Sequence, residues 1–242
     1  MTAEEHEMWD GLNIAYEQAY RSNPLKIACI QECLKLLKPD ARVLDAGCGT
    51  GIPVSQMLAD AGMKVVGFDV APKMAEHARK RVKGEFEVAD MVSYKPQGQF
   101  DGIFVIYSQL GLGYEDFYNA AWKLAQTLKE GGIFVIGQSP ADTIVPVDDP
   151  AWDETRSYVE GFNLPFWGEP FATLMLSRAG QAAFLTSMGL KVLYDSVDVF
   201  QPDHEKCDPE NQQYIIARWE GGEPLRAPTP LPAQREQASM QT

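Results

Sequence analysis

Apolar and polar positions along this chain fall into two alternating kinds of block. Short apolar runs at Arg42–Leu44, Lys64–Phe68, Phe86–Ala89, Gly102–Tyr107 and Gly132–Gly137 read as buried strands. Between them apolar residues recur at helical spacing. Ile27, Ile30, Leu34 and Leu37 share one face, as do Val54, Met57, Leu58 and Ala61, and later Phe117, Ala120, Ala121, Leu124 and Leu128. Punctuation agrees with this division. Asn23-Pro24 is an N-cap and first-turn pair, Pro39-Asp40 ends a helix, Gly62 is a C′ residue, and Pro72 opens a helix ending near Gly84. Ahead of these, residues 5–22 carry Trp9, Tyr16 and Tyr20 among acids and predict one helix or two short ones. Strand–helix alternation of this length specifies an α/β, doubly wound, mostly parallel sheet with right-handed crossovers. Ligands in such sheets bind beyond the carboxyl ends of the strands, where Asp45, Asp69, Asp90 and Tyr107 fall.

The pattern changes after Gly137. Residues 138–175 are long for a connection, rich in Pro, Asp and aromatics, and without clear periodicity. Such a segment reads as a lid, and its Trp152, Tyr158, Phe162, Phe166, Trp167 and Phe171 are expected to cover something. Ser177 caps a last helix bearing Phe184, Leu185 and Met188, ended by Gly189. Lys191–Phe200 and Gln212–Trp219 read as a sixth strand and its antiparallel partner. The expected organisation is one domain over 1–220, with 1–22 as an N-terminal cap and 138–175 as a lid insertion. Residues 221–242, with several prolines, are expected to form a disordered tail.

Composition narrows the partners. The formal net charge is −13, which opposes nucleic acid, whose affinity rests on Lys and Arg neutralising phosphates. The basic cluster Arg79-Lys80-Arg81 with Lys83 ends a predicted helix and reads as a solvated face. No apolar run approaches the ~20 residues of a membrane span, and the acidic, polar start does not read as a signal peptide. Cys29, Cys33, Cys48 and Cys207 form no zinc spacing, so no metal is expected, and a cytoplasmic setting follows. The expected partner is a small molecule, with the oligomeric state left open.

The first strand runs into Asp45-Ala46-Gly47-Cys48-Gly49-Thr50-Gly51, a loop in which glycines permit a sharp turn and close backbone approach to a ligand. The second strand ends in Asp69, an acid placed to accept ribose hydroxyl hydrogen bonds. The dinucleotide fingerprint G-x-G-x-x-G fails, because its third glycine falls on Ile52, and no Gly-Lys-Ser/Thr of a P-loop follows. The loop instead resembles motif I of the class I S-adenosylmethionine-dependent methyltransferases. The resemblance continues through Gly67-Phe68-Asp69 with Met74, Val88-Ala89-Asp90-Met91, Phe100-Asp101-Gly102-Ile103 and Leu128-Lys129-Glu130-Gly131-Gly132. It spans residues 10–140, in order, and implies the seven-stranded Rossmann-like fold with an antiparallel last strand.

That resemblance implies S-adenosylmethionine as cofactor and S-adenosylhomocysteine as product, with residue roles to match. Gly47, Cys48 and Gly49 would line the methionine portion, and Asp45 its amino group. Asp69 would hold the ribose, Val70 and Met74 would flank the adenine, and Asp90 with Met91 would meet its polar edge. Tyr16 and Tyr20 stand where related small-molecule enzymes fold an N-terminal aromatic over the methionine end. Tyr107, Ser108 and Gln109 follow the fourth strand and would face the methyl group, while Phe166 and Trp167 would reach the acceptor from the lid. Ile106-Tyr107-Ser108-Gln109 lacks the Asn/Asp-Pro-Pro-Tyr/Phe of amino-methylating nucleic-acid enzymes. Of the histidines, His77 is mid-helix, His6 lies in the N-terminal segment, and His204 falls between the last two strands beside Asp203 and Glu205. His204 is therefore the expected base, if one is used. The resulting expectation is methyl transfer to a small organic acceptor, at oxygen. The alternatives are N- or S-methylation of a small metabolite, or a regulatory protein that binds the cofactor without transfer.

Overall fold

A computed structural model describes residues 3–232, with side chains from residue 7 onward. Its elements in chain order are α1 (Ala3–Tyr20), α2 (Pro24–Leu36), β1 (Arg42–Ala46), α3 (Val54–Asp60), β2 (Lys64–Asp69), α4 (Pro72–Arg81) and β3 (Glu85–Val88). There follow β4 (Phe100–Ile106), α5 (Tyr114–Ala125), β5 (Leu128–Gln138), β6 (Tyr158–Phe166), β7 (Glu169–Leu176), α6 (Arg178–Ser187), β8 (Lys191–Phe200) and β9 (Glu210–Arg218).

A seven-stranded sheet runs in the order β3-β2-β1-β4-β5-β9-β8. Every pair from β3 to β5 is parallel, and β9 is antiparallel to both of its neighbours. The last strand in sequence is antiparallel, as the resemblance implied, and the structure inserts it between the fifth and sixth strands of this sheet. Leu44, Phe68, Ile103, Phe134 and Ile215 pack against α5 and α6 on one face. Val43, Val65, Phe104, Val135 and Ile216 pack against α2, α3 and α4 on the other. Burial on both faces explains why these strands read as unbroken apolar runs.

Local chemistry sets the element ends. Asn23 Oδ1 accepts from the amides of Leu25 and Lys26 at 3.0 and 3.1 Å, capping α2. Ser177 Oγ accepts from Gly180 N at 3.0 Å and caps α6. Asn13 breaks the helical dihedrals of α1, dividing it into two short helices.

Residues 138–175 differ from an aperiodic lid. Beyond a loop containing a short 3₁₀ turn at Ala141–Thr143 they form the β6–β7 hairpin, a separate two-stranded antiparallel sheet. The alternation is hidden by a register shift between Glu160 and Phe162, where Gly161 has φ +77°, and by Pro165 facing Pro170. Residues 221–232 carry no helix or strand but lie against the domain. Arg226 N donates to Met188 O at 3.0 Å, and Tyr114 Oη donates to Pro230 O at 2.8 Å. The remainder of the expected tail, 233–242, lies outside the described residues. Among the described residues no helix is long and apolar enough to cross a membrane.

Candidate active site

The carboxyl ends of β1, β2 and β4 open onto one cleft, with α1 laid across it. Gly47 and Cys48 both donate to Phe68 O at 2.9 Å, so the glycine loop folds back onto the end of β2. Gly47 has φ +74°, and a Cβ there would fall 2.2 Å from Ser108 Cβ, so this turn admits glycine alone. At Gly49 a Cβ would meet only the Met74 sulfur, at 4.0 Å. The backbone at that point is open to the cleft.

The cleft encloses about 1070 Å³ of space, part of it open to solvent. Its walls bring together Tyr20, Asp45, Gly47, Cys48, Gly49, Asp69, Val70, Met74, Asp90, Met91 and Tyr107, which are all the residues expected to meet the cofactor. Tyr16 is also there. Asp69 accepts from Gly49 N at 2.8 Å through Oδ2 and from Ala71 N at 2.9 Å through Oδ1. Burial nonetheless pushes its pKa up to about 6. Asp45 accepts from Ser55 Oγ at 2.6 Å and is likewise pushed to about 6 by burial, which outweighs that hydrogen bond. Asp90 Oδ1 accepts from Val92 N at 2.7 Å. Tyr107 sits at φ +55°, uncommon for a bulky residue, at the end of β4.

The other expected site residues lie one layer out. Gln109 is fully buried behind the cleft, its Oε1 accepting from Ser108 N at 3.1 Å. Phe166, at the tip of the β6–β7 hairpin, packs on Trp9 and Tyr16 of α1 with ring centroids 5.4 and 6.2 Å away. Trp167 packs on His204, centroids 4.1 Å apart, and beside Ala19, Tyr20 and Phe200. His204 does not line the cleft, and its Nδ1 accepts from Lys206 N at 3.2 Å. The side chain of His6 lies outside the described residues. The hairpin therefore covers α1, and α1 covers the cleft.

Cleft residues that the sequence reading does not single out include Glu17, Lys26, Leu110, Gly111 and Leu112, and Trp9 enters it only as one of the N-terminal aromatics. Glu17 pairs with Arg81 of α4 at 2.5 Å, and Asp10 accepts from Lys73 N at 2.9 Å, so α1 is fastened at both ends of α4. Arg81 thus leaves the solvated face expected of its cluster. Lys26 is buried, and burial lowers its pKa to about 8. Only helical spacing could have pointed to it, because Lys26 lies one turn before Ile30 on the buried side of α2.

The sheet order gives the Rossmann-like fold that solved S-adenosylmethionine-dependent methyltransferases share. Residues 43–132 match the family model described as a methyltransferase domain. The chain is 32% identical over 131 residues to methyltransferase GfsG of Streptomyces halstedii, covering 50% of this chain and 44% of that protein. It is 25% identical over 205 residues to an O-methyltransferase of Pyrenophora dematioidea, covering 81% of this chain and 71% of that one. The chain spans less than half the length of the first curated relatives it matches. Among solved structures, the N-methyltransferase NodS of Bradyrhizobium japonicum WM9 in complex with S-adenosyl-L-homocysteine shares the fold. Its TM-score is 0.62 at 18% identity, over 89% of this chain and 99% of that one.

Proposed function

We propose that this protein transfers the methyl group of S-adenosylmethionine to a small organic acceptor, at oxygen. The observation that carries the reading is the convergence on one cleft of the glycine loop, two strand-end acids and the Asp90-Met91 pair. The residues fit the cofactor chemically. A carboxylate offers about four lone-pair positions, and Asp69 uses two on backbone amides, leaving the others for ribose hydroxyls. Val70 and Met74 would flank the adenine, Asp90 and Met91 would meet its polar edge, and the open backbone at Gly49 would admit the methionine portion beside Gly47 and Cys48. Asp45 would hold the amino group.

When bound, the cofactor supplies a sulfonium methyl electrophile, so the protein's part is alignment and exclusion of water. Tyr16, Tyr20 and Trp9 of α1 roof the cleft, and Tyr107 and Ser108 stand at the end of β4. Net charge −13 supports a small molecule over nucleic acid. Oxygen is supported by relatives named as O-methyltransferases, of malonyl-[acyl-carrier protein] and of magnesium-protoporphyrin. A relative named phosphoethanolamine N-methyltransferase 1 keeps nitrogen as the second reading.

Calorimetry with S-adenosylhomocysteine tests the cofactor site. Asp69→Ala removes two charge-assisted hydrogen bonds, each worth roughly 1.5–3 kcal/mol, so affinity should fall at least tenfold. Asp69→Asn, which keeps an acceptor for one of the two neighbouring amides, should weaken binding as well. Unchanged binding in both folded variants overturns the assignment.

A further inference from the structure

The α5–α6 face of the sheet carries three glutamines among its apolar residues. Gln138 ends β5, Gln213 stands opposite it on β9, and Gln181 is on the buried side of α6. All three are fully buried. Gln138 lies two residues beyond Ile136 and Gln213 two before Ile215, so both side chains emerge on the face that those residues fill. Gln213 Nε2 donates at 3.3 Å to Arg178 O, in the first turn of α6, and Gln181 lies one turn further along the same side of that helix. Three primary amides are thus gathered where β7 hands the chain to α6. None of them lines the cofactor cleft.

The partners of two of these amides fix which way they point. Gln213 Nε2 also donates to Asp195 Oδ1 at 2.8 Å, so both partners of that nitrogen are acceptors and Oε1 is the end left over. Gln138 Oε1 accepts from Leu176 N at 3.3 Å, which leaves Nε2 over. Gln181 engages neither end. Among the described residues Gln138 Nε2, Gln181 Nε2, Gln181 Oε1 and Gln213 Oε1 have no hydrogen-bond partner, although solvent does not reach them. A bare amide group in the interior costs free energy, and native interiors leave very few. Four at one place point to a ligand.

We propose that this node of Gln138, Gln181 and Gln213 is a binding site for internal water. Two of the four atoms donate and two accept, which is the complement of a water molecule's own two donors and two acceptors. A bare cation would face two N–H groups there, and an anion two carbonyl oxygens, so the ligand is neutral and carries both functions. The water has a mechanical role. Leu176 N and Arg178 O, on either side of the N-cap Ser177, are the backbone groups that Gln138 and Gln213 hold. The hydrated node therefore ties the end of the β6–β7 hairpin, which covers α1, to the sheet. The site is independent of the cofactor.

The test is magnetic relaxation dispersion of the solvent water signal, which reads the water molecules held longer than the protein takes to tumble. It is run on the unmodified protein and on Gln181→Met, whose side chain is of similar length and brings no N–H or C=O to the node. The variant should lose the signal of at least one long-lived water. Its Tm should fall by several degrees, because Gln138 Nε2 and Gln213 Oε1 are then left bare. Hydrogen exchange at Leu176 N should quicken by about tenfold. An unchanged dispersion overturns the proposal, and so does a raised Tm, the outcome for a dry node relieved of two bare polar atoms. Should the variant not fold, rotating-frame cross-peaks between water and the side-chain amide protons of Gln138 and Gln181 decide the question in the unmodified protein. Cross-peaks with the sign of dipolar contact support the site, and their absence overturns it.

Discussion

Asp45 and Asp69 meet the cleft from adjacent strands, and each is a carboxyl held near 6 by burial. A cofactor that needs Asp69 as an acceptor and Asp45 as a counter-charge binds the ionised forms. Its affinity should therefore be level above pH 7 and fall as pH drops through 6, by up to tenfold per unit for each group that must ionise. Titrations of S-adenosylhomocysteine at pH 5.0 and 7.5 check this, and Asp69→Asn should flatten the profile. His204 gives the opposite expectation. It stacks on Trp167 and stands off the cleft wall, so His204→Ala should leave S-adenosylhomocysteine affinity within about threefold. A hundredfold loss in a folded variant would place it back at the site.

The element that decides closure is α1, held from two sides. Beneath it, Glu17–Arg81 and Asp10–Lys73 fasten it to α4. Above it, Phe166 and Phe171 of the β6–β7 hairpin pack on Trp9 at 5.4 and 6.2 Å. Leu174 N of β7 also donates to Leu110 O, on the cleft wall, at 2.9 Å. Truncating Phe166 removes apolar contact from a half-buried site, so Phe166→Ala should lower Tm by a few degrees, about 1–2 kcal/mol. It should also speed hydrogen exchange in α1 more than in β4. Bound S-adenosylhomocysteine should restore protection to α1. Equal acceleration across the sheet would make the hairpin an ordinary part of the core.

For the whole molecule, the buried charges of the cleft oppose folding over definite pH windows. Asp45 has a folded pKa above its usual 3.8, so the native state holds its proton where the unfolded chain does not. Its penalty is absent below about pH 4, grows up to pH 6 and is complete above it, on the order of 3 kcal/mol. Lys26 is the mirror case. Its folded pKa is lowered from 10.5, so its penalty is full below pH 8 and relieved as pH rises toward 10.5. Urea unfolding of Asp45→Asn beside the unmodified protein should show little difference at pH 4 and a gain for the variant at pH 7. No gain at pH 7 would show that Asp45 is not buried as a charge.

The sequence by itself determined the strand–helix alternation, the glycine loop and the acids at the strand ends. These follow from local causes: positive φ at Gly47 and Gly49, two-sided burial of β1, β2, β4 and β5, and the reach of one side chain at the end of one strand. Tertiary structure alone decided the rest. Lys26 shares helical spacing with Ile30, but its place in the cleft follows only from the Tyr20 and Tyr107 rings that pack beside it. Gly161 and the paired prolines conceal the β6–β7 alternation, which only the partner strand reveals. Phe166 and Trp167 read as lid residues, but whether an aromatic touches the ligand or the helix above it depends on packing between segments far apart in sequence. Local chemistry fixes dihedrals and periodicity, whereas burial and charge at a site belong to the elements that converge there.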